Sequence, residues 1–197
     1  MPGYSENGAH QSKGTYIMRD KLLEAILSAG ATKAAFITQE QIVLSAEFRK
    51  PCESNQCGMY GRCWMCPPAI GEIEPLMEKV RSYPTGLLYQ TIGELEDSFD
   101  IEGMFEAKKI HAQVSQTFEV MVKEQMPGMY LHLTCGGCYL CDTCAITQNK
   151  PCRFPEKALS SLEGYGVDVY NTVKDTPLKY INGQNTVTYF GLVLFEE

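Results

Sequence analysis

Five of the chain's nine cysteines fall in residues 135–155, written CGGCYLCDTCAITQNKPCRFP. Cys138, Cys141 and Cys144 recur every third residue, and Cys152 follows after a short loop, ahead of Arg153, Phe154 and Pro155. A run of this kind wraps the backbone around one compact inorganic core. The residues between the cysteines turn their N–H groups toward the sulfurs, and a more distant cysteine completes the ligand set. A single Zn²⁺ is satisfied by four donors, usually arranged as two separated pairs. The triple run therefore favours an iron–sulfur cluster and leaves zinc as the alternative metal. Structural disulfides are disfavoured, because cysteines this close along the chain seldom reach good bridging geometry.

A second cysteine segment precedes it. Cys52, Cys57, Cys63 and Cys66 lie between Pro51 and the Pro67-Pro68 pair, with Gly58 and Gly61 inside, so the segment reads as a loop. The Cys66-Pro67 step resembles the Cys-Pro step of ferredoxins, where proline offers no competing N–H. The two glycines permit backbone turns that larger residues resist. Tyr60, Trp64 and Pro68 are candidates to keep water from a cluster, or simply to pack. Two 4Fe-4S clusters need about eight thiolates. The simplest partition gives Cys52, Cys57, Cys63 and Cys66 to one cluster and Cys138, Cys141, Cys144 and Cys152 to the other. Cys135 is then left over, and ligand exchange between the segments is the alternative.

Taken together, C-x4-C-x2-YG-x4-CPP followed by G-C-x2-C-x2-C-x7-CR-x-P-E and SLE-x2-G-x-DV resembles a family of predicted metal-binding proteins of anaerobic bacteria and archaea. Iron–sulfur clusters are ascribed to that family. The likeness covers nearly all of the chain after its first residues. The family pattern matches Cys52, Cys57 and Cys66, then Cys138, Cys141, Cys144 and Cys152, while Cys63 and Cys135 fall outside it. The resemblance thus implies a first site with three cysteines. Cys63, Cys135, a non-cysteine group or an exogenous ligand would take its fourth position. No activity comes with the resemblance.

The rest of the chain sets bounds on function. A length of 197 residues suits one domain with its own core. The net charge of -7 argues against nucleic acid as the main partner. No apolar run approaches a membrane span, and the first residues do not read as a secretory signal. An odd number of cysteines without an export signal points to a reducing cytoplasm. Neither a G-x-G-x-x-G, a P-loop nor a G-x-S-x-G is present to argue for a nucleotide or for serine catalysis.

Periodicity predicts a single-domain α/β sandwich carrying two cysteine-rich cluster-binding loops. Residues 1–15 read as a flexible lead segment and 16–197 as the domain. Helices are expected over 19–29, after Pro67-Pro68 with Pro75 in the first turn, over 104–125 and over 155–162. Leu76, Met77 and Val80 should face inward on the second. Ala107, Ile110, Val114, Phe118 and Met121 should do so on the third. Strands are expected at 33–37, 42–44, 86–92, 129–133 and 167–170, with a closing hairpin of 178–181 and 186–195. His111 and His132 read as structural or surface residues before ligands. Arg153 serves either a reduced cluster's charge or a salt bridge, and Lys108-Lys109 reads as a solvated helix face.

Three functions compete. The first is a cytoplasmic iron–sulfur protein, with two 4Fe-4S clusters, that carries electrons for a partner oxidoreductase. The second is an enzyme whose three-cysteine cluster keeps an iron open to substrate. The third is a non-redox protein stapled by zinc.

Overall fold

A computed structural model of the chain describes residues 7–126, 128 and 130–196, with side-chain surroundings from residue 18 onward. One five-stranded sheet carries the fold. Its strands are β1 (Lys33–Thr38), β2 (Thr85–Glu94), β3 (Tyr130–Thr134), β4 (Ser160–Ser161) and β5 (Thr186–Phe195). They lie in the order β1-β2-β5-β3-β4. All neighbours are antiparallel except β3 and β4, which run parallel. The helices are α1 (Asn7–Ser28), α2 (Lys50–Glu53), α3 (Ile73–Arg81), α4 (Ile101–Gln125) and α5 (Val169–Thr172).

Strand alternation splits the core into two layers. Leu87 and Tyr89 of β2, with Val193 and Phe195 of β5, meet Leu22 and Ile26 of α1 and Val114, Phe118 and Val122 of α4. Leu88, Leu192, Leu194 and Leu133 face the other way, toward Leu76 and Val80 of α3 and the segment holding Leu162, Tyr165 and Val167. Leu22 and Ile26 are fully buried, each contributing about 1.5–3 kcal/mol. Gly30, at φ +111°, follows the end of α1 as the sequence predicts.

α4 departs from its expected face. Its inward stripe is Ala107, His111, Val114, Phe118 and Val122, while Ile110 is 48% exposed. The stripe includes polar His111, Ser115 and Glu119, because the sheet supplies their partners. Thr91 Oγ1 lies 2.9 Å from His111 Nδ1. Tyr89 Oη lies 2.8 Å from Ser115 Oγ and 2.7 Å from His132 Nε2. His132 Nδ1 donates to Glu119 across 2.8 Å, and the Tyr130 hydroxyl donates to the other carboxylate oxygen across 2.7 Å. Both histidines are therefore structural members of a buried polar network.

Other elements differ from expectation. Residues 155–162 form a turn and then β4, since Ser160 and Ser161 pair with Leu133 and Thr134 and carry Leu159 and Leu162 inward. Residues 42–44 do not join β1; Leu44 makes a single bridge to Val167. Val167 then leads into α5, capped by Asp168. The expected closing hairpin is absent: β5 pairs with β2 and β3, and the Asn182 side chain bonds Thr188 Oγ1 instead. Pro127 and Met129, read as a helix stop and a strand start, lie outside the described residues, as do residues 1–6 of the lead segment. Among the described residues no helix is long and apolar enough to cross a membrane.

Candidate metal centre

β3 delivers the chain directly into Cys135, so the second cysteine segment starts from a fixed point of the sheet. The first segment starts from α2, a single turn with Pro51 near its N-terminus that includes Cys52. Gly58 and Gly61, at φ +73° and +66°, turn the chain back, and the Gly61 N–H donates to Pro67 O across 2.8 Å. The Pro67-Pro68 peptide bond is cis.

All nine cysteines are free thiols, and they fall into two neighbouring groups. Cys63, Cys138, Cys141, Cys144 and Cys152 line one small cavity, closed by Trp64 and Phe154. Cys52, Cys57, Cys66 and Cys135 line a larger one of about 440 Å³. The structure thus places Cys63 with the second segment, while Cys135 borders the first group and also shares a third cavity with Cys138. The seven cysteines of the family pattern divide as that pattern implies, three to one cavity and four to the other. Tyr60 and Pro67 border the larger cavity, while Pro68 is exposed.

Cys63 and Cys66 join the two groups. The Cys66 N–H donates to Cys63 O across 3.1 Å, which holds the two residues together. The neighbouring Cys66 thiol pulls Cys63 down to about 6 against the effect of burial, helped by N–H groups of Met65 and Cys138 and by the Cys144 thiol. Cys66 is raised in turn by Cys63, with burial adding to the effect. Burial pushes Cys138 up to about 11, opposed by the Leu140 N–H and reinforced by the negative charge of neighbouring thiols. Burial likewise pushes Cys135 up to about 12; Glu163 adds to this and Lys108 opposes it. Cys52 is raised by burial and then by Glu163, while Arg49 lowers it.

The donor chemistry fits a thiolate-bound metal group. The Trp64 N–H turns onto the sulfur of Cys144, and N–H groups of Met65, Cys138 and Leu140 favour the thiolate forms of Cys63 and Cys138, an arrangement that relieves the charge of metal-bound thiolates. Among the described residues, no three Cys, His, Asp or Glu side chains already converge on one point to hold a metal ion.

A family model described as "Predicted metal-binding protein (DUF2284)" matches residues 35–195. The chain belongs to that family. No curated protein and no solved structure matches it. The match takes in both cavities and all nine cysteines.

Sequence reasoning missed several side chains of this centre. Lys108 is not a solvated helix residue. It is partly buried between the two cysteine segments, donates to the Tyr139 hydroxyl across 2.9 Å and lies 5.0 Å from that ring's centre. Its neighbour Lys109 is the solvated one, paired with Glu106 at 3.2 Å. Arg49, 5% exposed, donates to Gly71 O across 2.6 Å and turns its charge toward Cys52. Arg153 makes no salt bridge among the described residues; it donates to Thr143 O across 2.9 Å and ties down the segment between Cys144 and Cys152. Helical spacing gave Lys108 away only in part, since it lies one turn before His111 and two turns before Ser115 of the inward stripe.

Proposed function

We propose that the chain is an iron–sulfur protein with two adjacent 4Fe-4S sites, acting in electron transfer with a partner oxidoreductase. The supporting observation is the contact between Cys63 and Cys66, which sets two thiol-lined cavities side by side. Cys138, Cys141, Cys144 and Cys152 would hold one cluster, with Cys63 either close beside it or exchanged for one of them. Cys52, Cys57 and Cys66 would hold the other. When bound, such clusters supply one-electron chemistry at potentials set by hydrogen bonds, charge and water access. The chain's own part is to aim N–H groups at the sulfurs, exclude water with Trp64 and Phe154, and place Arg49 near Cys52. The site suits a reducing, oxygen-poor cytoplasm, where thiols stay available as ligands.

The larger cavity favours a second reading. Three family-pattern cysteines open onto about 440 Å³, and the spare cysteine of their own segment is turned away. An iron held there by three thiolates would keep a position for a small molecule unless Cys135 fills it. Protein purified without oxygen tests both readings. Iron and acid-labile sulfide in equal amounts, near eight of each per chain for two cubane clusters (about four irons apiece), support the proposal. Stoichiometric zinc without sulfide overturns it.

A further inference from the structure

The geometry points to the 440 Å³ cavity as a binding site for a small organic monocarboxylate with an apolar body, anchored by Lys108. This deepens the reading of that cavity as the place where a small molecule meets the three-cysteine site. The volume, part of which a cluster on Cys52, Cys57 and Cys66 would take, falls within the range of about 300–1,000 Å³ typical of small-molecule sites. Phe48, Met59, Tyr60, Tyr180 and Phe190 supply an apolar and aromatic wall. Lys108 is the one lysine or arginine among the lining residues. It makes no salt bridge among the described residues, its hydrogen-bond partner being the neutral Tyr139 hydroxyl. A partly buried ammonium with no carboxylate beside it has charge left to neutralise.

The backbone is shaped to seat it. Gly136 has φ +69°, and a Cβ there would fall 2.8 Å from Lys108 Nζ. Gly137 is less confined, since a Cβ would come to 3.3 Å of Met59 and to an ordinary contact of 3.5 Å with Cys66 Sγ. The two glycines after Cys135 thus open room for the ammonium on one side and the cysteine group on the other. Charge count selects the ligand class. Glu163 and four cysteines share the cavity with a single cation. With Glu163 and any thiolates already negative, the single ammonium can pair at short range with no more than one carboxylate, and a phosphate dianion is disfavoured further. Glu163 stands near Cys52 and Cys135, where a hydroxyl or amine on the ligand would find an acceptor.

Calorimetric titration of the anaerobically prepared full chain with benzoate and with benzamide tests this, with iron and sulfide measured on the same sample. The wild type should bind benzoate at least about tenfold more tightly than benzamide, the worth of one charge-assisted contact. Lys108→Met should abolish that preference, Gly136→Ala should weaken it, and Lys109→Met should leave it intact. Equal affinity for the two probes, or none for either, in the wild type overturns the inference whatever the variants do. So does a Lys108→Met protein that shifts the cluster potential yet keeps the preference, since Lys108 would then serve only the cluster charge. Absence of iron and sulfide overturns the iron–sulfur reading, while the benzoate preference is still read on that sample.

Discussion

The backbone N–H of Trp64 donates to Cys144 Sγ across 3.5 Å, joining positions eighty residues apart. The Trp64 indole N–H donates to Lys150 O across 2.9 Å, so both polar groups of this residue reach into the other cysteine segment. Trp64 thereby carries its neighbour Cys63 out of the first group and into the second. Cys63 is 1% exposed and has no route back to the larger cavity without breaking these bonds.

This placement fixes what Cys63→Ser does. On the proposed function, the variant should alter the paramagnetic resonance of a cluster bound at Cys138, Cys141, Cys144 and Cys152 and leave that of the other site nearly unchanged. Cys57→Ser should do the reverse. Spectra of the two variants beside wild type check it, and a Cys63→Ser protein that loses only the Cys52–Cys57–Cys66 signal would contradict the structure.

Trp64 is the chain's single tryptophan and borders the smaller cavity. If the proposed clusters form, its fluorescence should fall strongly when iron and sulfide are reconstituted into the metal-free protein, because such a cluster absorbs where tryptophan emits. Cys141→Ser should remove most of that quenching and Cys57→Ser little of it. Equal quenching in both variants would show that Trp64 does not adjoin the second site.

Much of this was legible from the chain. Helical periodicity marks Leu76, Met77 and Val80 as the inward face of α3, and all three are buried there because that face is wholly apolar. The inward face of α4 was misplaced toward Ile110 because hydropathy counts His111, Ser115 and Glu119 as outward. Their partners Thr91, Tyr89 and His132 lie on strands far away in sequence, so nothing local could reveal them. β4 was read as helix because its pairing with β3 is likewise non-local. The cysteine spacings told which segments matter, but spacing along a loop does not say which way a sulfur points. The placement of Cys63 and Cys135 is decided by Trp64 and by the exit from β3, and neither has a sequence signature.

The buried network makes stability depend on pH. Burial holds His111 down at about 4, below the 6.5 of a free histidine, with the Phe190 carbonyl opposing the shift. The unfolded chain therefore binds the proton more readily between pH 6.5 and pH 4. Stability from keeping His111 neutral is fully present above 6.5 and is lost as pH falls toward 4. The loss is on the order of 3 kcal/mol. Denaturant unfolding at pH 7 and pH 4.5 should show it, and His111→Gln should flatten much of the difference. An unchanged pH slope in that variant would assign the acid sensitivity to other groups.

Tyr89 and Gly191 face each other across β2 and β5, and the fit between them is close enough to test by itself. A Cβ at Gly191 would lie 2.1 Å from Tyr89 Cζ, and the Tyr89 ring is wholly buried against Phe118 and His132. Gly191→Ala should therefore cost about 1–3 kcal/mol or more from overpacking. Tyr89→Phe keeps the ring and so cannot relieve that clash. It should cost about 1–3 kcal/mol on its own by leaving Ser115 and His132 short of a buried partner. Tyr89→Leu removes the clashing atom, so Gly191→Ala should be much less damaging in that background than in wild type. A double-mutant cycle by denaturant unfolding measures the difference. If Gly191→Ala costs the same in both backgrounds, the strain lies in the β5 backbone and not against Tyr89.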